Sequence, residues 1–202
     1  MHHHAHITLA GLITKLHLEY ARKNTAILDI RLAGQTHQNG HTRTFDHHAR
    51  AIGPYAEGLY SALQEGQCAL VEGRLEQFQY TNRQAGEKRS LTRIMSQGVS
   101  LLEGDHQIHT NDKNRQSLVN GTNHIQLVGA LVTTPQLKTA RNGNTYGSFR
   151  VVVKEYGNTH YFNAIAWEEQ AKTLAKATPG TAIHLTGQLI NLTWTDENGQ
   201  QH

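Results

Sequence analysis

Apolar residues along this chain come in short alternating runs rather than in helical stripes. Ile7, Leu9 and Gly11 share one face of a first strand over 7–13. Leu28, Ile30 and Leu32 alternate through a second over 26–33, and a third follows over 44–52. Between these two, Gln35 to Thr42 is rich in Gln, Asn, Gly and His and is predicted to be a mobile loop. Gly53 and Pro54 then break the pattern, and Tyr55, Leu59 and Leu63 recur every fourth residue, which places them on one face of a short helix stopped by Gly66. A long strand over 68–80 follows, interrupted by Gly73 at a bend where a side chain would collide. After a turn at 82–86, a strand over 90–102 returns.

The pattern then starts again. His6, Ile7, Leu9 and Gly11 are echoed by His124, Ile125, Leu127 and Gly129, 118 residues on. Gly66, Gly73, Leu75 and Tyr80 are echoed in order by Gly180, Gly187, Leu189 and Trp194. A unit this long is a small domain copied once, not a solenoid repeat. Strands at 125–131, 147–153 and 160–167, a helix at 168–176 and a long strand at 182–194 fill the second copy. Three strands, a helix and two strands are the order of the OB fold, a five-stranded Greek-key barrel. The expected fold class is therefore all-β with one short helix per domain: an OB fold over 1–103, a polar linker over 104–121, and a second OB fold over 122–202. The second copy lacks residues for a fifth strand, so either the chain is a fragment or another chain supplies that strand.

Composition narrows the chemistry. Lys and Arg exceed Asp and Glu by 19 to 16, which permits a polyanionic partner without requiring one. Cys68 is the single cysteine, so disulfides and Cys-based zinc motifs are excluded. His2, His3 and His4 read as a tag remnant or a solvated terminus, and His47 and His48 lack ligand spacing; no metal and no cofactor are expected. The apolar runs are of strand length and the N-terminus has no signal-peptide core, which points to a cytoplasmic protein with no membrane partner. Glu168 and Glu169 open a helix rather than pair as catalytic carboxylates, and phosphate-cradling and nucleophile motifs are absent, so no enzyme is expected.

A groove for single-stranded nucleic acid needs rings for bases and cations for phosphates. In the second copy the candidate stackers are Tyr161, Trp167 and Trp194, and the candidate phosphate contacts are Lys138, Arg141, Arg150 and Lys154. In the first copy they are Phe45, Phe78 and Tyr80, with Arg31, Arg43, Arg50, Arg74, Lys88 and Arg89. Phe78, Tyr80 and Arg74 fall on one face of a regular strand. An aromatic on a strand is more often core, and that reading is favoured for Phe149 and Phe162.

Leu127, Gly129, His160, Tyr161 to Trp167, Gly187, Leu189, Trp194, Thr195, Asp196 and Gly199 resemble the bacterial single-stranded DNA-binding protein pattern. Two copies in one chain, with Val71, Glu72, Gly73, Leu75, Glu76, Gly86, Lys88, Arg89 and Ser90 in the first, are similar to the tandem-OB members of the Deinococcus and Thermus lineage. The resemblance implies a nucleoid-associated homodimer with four OB folds that wraps single strands without reading sequence, in replication, recombination and repair. It implies stacking at Trp167, Trp194 and Tyr161. It implies weaker stacking in the first copy, where Tyr80 stands for Trp and Ile52 falls near the Trp167 position. Family members also end in an acidic tail that recruits replication and repair enzymes, partners expected here only if such a tail follows residue 202. A tandem-OB scaffold for protein interaction and an RNA-binding protein are the alternatives; absence of strand binding, or preference for RNA in competition, would distinguish them.

Overall fold

Strand β1 (His4–Ala21) runs for 18 residues, far past the stretch its apolar alternation marks. The computed structural model describes residues 2–38, 40–81 and 88–191, with the side chains of 81, 88 and 89 outside that description. After a tight turn at Arg22–Asn24 come β2 (Thr25–Gln38), β3 (His41–Ile52), α1 (Pro54–Ala62), β4 (Cys68–Thr81) and β5 (Lys88–Leu101). The short strands β6 (Ile108–Thr110) and β7 (Gln116–Leu118) follow. The second copy is β8 (Thr122–Leu131), β9 (Gln136–Thr139), β10 (Thr145–Glu155), β11 (Asn158–Trp167), α2 (Glu168–Leu174) and β12 (Ala182–Gly187). Three strands, a helix and two strands are thus present in the first copy as predicted. In the second, β9 is an added short strand and β12 ends at Gly187; residues 192–202 lie outside the described residues.

Two expectations change. Residues 35–38 and 41–42, predicted as part of a loop, continue the β2–β3 ladder, with Gln35 opposite Thr44 and Gln38 opposite His41. A hairpin extension is held by backbone hydrogen bonds, so polar side chains do not end it. Residues 104–121, predicted as a linker, contain the β6–β7 hairpin, and β7 pairs in parallel with β2 through Leu118 and Gly34. Its few apolar residues account for the docking: Leu118 is buried with Leu12 and Cys68, and Ile108 packs against them.

The chain forms two compact units, and neither coincides with one copy of the repeat. One, here the N-unit, comprises Thr8–Glu72, Ser96–His124 and, among the described residues, 187–191. The other, the C-unit, comprises the chain up to Ile7, Gly73–Met95 and Ile125–Thr186. The far parts of β4 and β5 form an arm of the first copy that is built into the C-unit. The predicted bend at Gly73 has a direct cause, since a Cβ there would lie 2.5 Å from the Met95 carbonyl oxygen of β5.

In the N-unit, Ala26, Leu28, Ile30 and Leu32 of β2 point inward with Leu9, Ile13, Ala49, Ala51 and Val71. Residues 188–191 are tied to this unit by side chains. Asn123 Nδ2 and His47 Nε2 both donate to the Leu189 carbonyl, at 2.8 and 3.0 Å. The Leu189 N–H donates to Asn123 Oδ1 at 3.0 Å, and Asn191 Nδ2 donates to the Asp46 carbonyl at 3.1 Å. In the C-unit, Leu127, Leu131, Phe149, Val151, Val153, Phe162 and Ala171 form the core. Phe149 and Phe162 are therefore core residues, as favoured from the sequence.

Burial lowers the basicity of His47 more than its bond to Leu189 and the nearby Asp46 raise it. The folded protein resists protonating this ring, whereas the unfolded chain accepts the proton at about pH 6.5. Stability from His47 is thus fully present above that pH and is lost as pH falls through it toward the depressed folded value. Thermal melts from neutral to mildly acidic pH should show Tm falling more steeply in the natural protein than in His47→Gln; parallel pH profiles would count against this assignment.

Candidate nucleic-acid interface

Strand β11 alternates strictly. His160, Phe162 and Ala166 are buried, while Tyr161, Asn163, Ile165 and Trp167 face outward. Its partner β10 does the same, and the register brings the two outward sets together. Tyr146 lies opposite Trp167, Ser148 opposite Ile165, Arg150 opposite Asn163 and Val152 opposite Tyr161. On the other side of β10, Lys138 of β9 lies opposite Tyr146. One row across three strands therefore reads Lys138, Tyr146, Trp167. Trp167 is 43% exposed and Tyr161 42%, and the Tyr146 and Trp167 rings are 5.4 Å apart, tilted by 38°. About 20 Å of strand separates Trp167 from Tyr161 at ordinary strand rise.

The local fold holds these rings in place. Glu168 adopts φ 50, turning the chain sharply into α2, and its carboxylate accepts the Thr145 N–H at 3.0 Å. This ties the end of the β10–β11 hairpin beside Trp167. The Arg150 guanidinium donates to the neutral Asn163 Oδ1 at 3.1 Å, which orients it without cancelling its charge. Lys138, Arg141 and Lys154 are exposed. The face thus combines ring surfaces with cations, the two requirements of a single-strand groove.

The arm of the first copy joins this unit at Tyr161. Gln77 Nε2 donates to the Tyr161 carbonyl at 2.9 Å and Gln77 Oε1 accepts the Tyr161 N–H at 3.3 Å. The Gln77 N–H donates to His160 Nδ1 at 3.0 Å. Strand β11 ends the sheet order, and these bonds bring the arm against its edge. Phe78 and Tyr80 on the arm are each 43% exposed. Arg74 does not act with them as predicted: it pairs with Glu76 at 2.6 Å and lies over the Tyr156 ring at 5.2 Å. Arg93 takes the expected place, with its guanidinium 3.8 Å from the Phe78 ring centre.

The equivalent face of the N-unit is chemically different. Phe45, predicted as a stacking ring, is only 7% exposed and stacks on His47, so it belongs to the core and cannot receive a base. Arg50 holds Asp29 through Nε at 2.7 Å and Nη2 at 2.6 Å. Arg31 holds Asp46 through the same two nitrogens, at 2.7 and 2.5 Å. These hydrogen bonds to carboxylates raise both guanidinium pKa values. Neither of these predicted phosphate contacts presents an uncompensated charge. Arg43 is exposed opposite Thr36, near the turn end of the β2–β3 hairpin. Trp194 and the side chains of Lys88 and Arg89 lie outside the described residues.

Tyr146, Ile165, Asn163 and Arg93 were missed from sequence. Only the strand register reveals Tyr146 beside Trp167, and only the fold of the arm places Arg93 on Phe78. Among the described residues there is no cluster of three or more metal-ligating side chains and no helix long and apolar enough to cross a membrane.

The model of the "Single-strand binding protein family" matches residues 4–102 and again 122–202. The chain belongs to the single-strand binding protein family. A single-stranded DNA-binding protein of Thermus aquaticus is 30% identical to it over 96% of this chain and 78% of the relative. One of Deinococcus radiodurans is 22% identical over 97% of this chain and 70% of its own length. The crystal structure of the wild-type Thermus aquaticus protein superposes with a TM-score of 0.78 at 27% identity, covering 95% of this chain and 87% of that one. The all-β, tandem OB fold predicted from the strand order is the fold of this single-strand binding protein, and the resemblance to the Thermus and Deinococcus members holds over nearly the whole chain.

Proposed function

We propose that this chain, as two OB copies over 1–103 and 122–202 joined through 104–121, binds single-stranded DNA without reading its sequence. Bases stack on Trp167, Tyr146 and Tyr161, and Lys138, Arg141, Arg150 and Lys154 neutralise phosphates. The observation that carries this reading is the Lys138, Tyr146, Trp167 row, where an exposed indole and a phenol lie beside a cation. Family membership and relatives named as single-stranded DNA-binding proteins support it. The protein does no catalysis in this role. It holds unpaired strands and so protects them and melts hairpins by mass action, in replication, recombination and repair. It acts as a homodimer at the nucleoid in the cytoplasm, with replication and repair enzymes as further partners where an acidic tail is present.

Titration with oligothymidine at rising salt tests the reading. For single strands the log–log salt slope is about −0.7 per phosphate neutralised, so these four cations give about −3. No binding at low salt would favour a protein-interaction scaffold, and stronger binding of the matching oligouridine would favour RNA.

A further inference from the structure

We propose that Asp29 and Asp46 close the β2–β3 face of the first copy to phosphate, so that among the described residues one such face, on the C-unit, binds the strand rather than two equivalent ones. The inference rests on the single-strand reading above and assigns that function to one face. Ile52 and Trp167 each end a strand just before a helix, with Ile27 opposite the first and Tyr146 opposite the second. Stepping along both hairpins from there, Asp29 and Arg50 stand where the C-unit has Ser148 and Ile165. Arg31 and His48 stand where it has Arg150 and Asn163, and Ala33 and Asp46 where it has Val152 and Tyr161.

The substitutions act together. All three outward rings of the C-unit face are missing, replaced by Ile27, Ile52 and Asp46. The matched arginines Arg31 and Arg150 meet opposite fates, because Arg150 has the neutral Asn163 as partner while Arg31 is gripped through two nitrogens by Asp46. The carboxylate that grips Arg31 occupies the very position of the stacking residue Tyr161. Arg50 is gripped in the same way by Asp29, and both members of this pair are less than a quarter exposed. A phosphate reaching either guanidinium must displace a bidentate carboxylate and then sit beside its charge. Counterion release, the main source of affinity for a strand, is therefore already forfeited on this face.

The test is equilibrium binding of oligothymidine by the full chain, read as affinity and salt slope. Arg31→Gln with Arg50→Gln should stay within about twofold of the natural protein with an unchanged slope, whereas Arg150→Gln should weaken binding and flatten the slope by about 0.7. Asp29→Asn with Asp46→Asn frees two cations and should bind several-fold tighter, with a slope more negative by about 1.4. Equal losses from the Arg31/Arg50 and Arg150 variants would overturn the proposal, as would a folded Asp29/Asp46 variant with unchanged slope. If that variant fails to fold, as circular dichroism would show, the Arg31/Arg50 result decides alone. Failure of the single-strand reading itself looks different: the natural protein would not bind, or Arg150→Gln would bind as well as it does.

Discussion

Replacing Trp167 with alanine weakens binding of oligothymidine about 5- to 150-fold, the loss of one base–aromatic stack at about 1 to 3 kcal/mol. The indole is nearly half exposed and stands at the end of β11, with the tilted Tyr146 ring beside it. Its removal opens no cavity in the core, so the thermal midpoint should change little while affinity collapses. Trp167→Phe keeps a π face and should retain most of the affinity. Anisotropy of a labelled strand reports the binding, and an alanine variant that binds as tightly as the natural protein would remove this ring from the site.

Asn123→Ala is expected to cost stability instead, about 1 to 3 kcal/mol, because it orphans the Leu189 N–H while the Leu189 carbonyl keeps only its bond from His47. Asn123 is buried, and its amide both donates to the Leu189 carbonyl and accepts the Leu189 N–H. No ladder replaces these bonds, since β12 ends at Gly187. His47 loses a co-donor to the same carbonyl, which loosens the attachment of residues 188–191 to the N-unit. Chemical denaturation should show a lower midpoint, and Asn123→Asp should recover part of it, because a carboxylate accepts the Leu189 N–H but cannot donate to the carbonyl. A midpoint unchanged by Asn123→Ala would show that the remaining bonds of His47 and Asn191 hold this segment without Asn123.

Much of the fold was legible because alternation marks a strand wherever one face is buried. The outward residues of β11 follow from the buried His160, Phe162 and Ala166, and Gly73 interrupts an apolar run where the Met95 carbonyl leaves no room for a Cβ. What could not be read were features held by hydrogen bonds and charge. The polar end of the β2–β3 hairpin and the β6–β7 hairpin carry little hydrophobic signal. The arm exchange depends on Gln77 meeting Tyr161, and Asn191, four residues after Gly187 as Gln77 is after Gly73, meets the Asp46 carbonyl in the other unit. Amide side chains on backbone groups carry no periodicity that would announce them.

The site was legible by residue type and misread by environment. Trp167, Tyr161, Lys138 and Arg150 lie on one face because the register aligns them. Phe45 is an aromatic on a strand like Tyr161, yet it sits one residue out of phase and points inward, since successive side chains face opposite sides. Arg31 and Arg50 look like phosphate contacts until cross-strand pairing places Asp46 and Asp29 against them.

Fluorescence of a Trp194→Phe variant, in which Trp167 is the single remaining tryptophan, measures base stacking on this face directly. Saturating oligothymidine should quench and shift its emission, and the quenching should reverse as salt rises. Strand bound by anisotropy with Trp167 emission unchanged would place the bases elsewhere and contradict the C-unit groove.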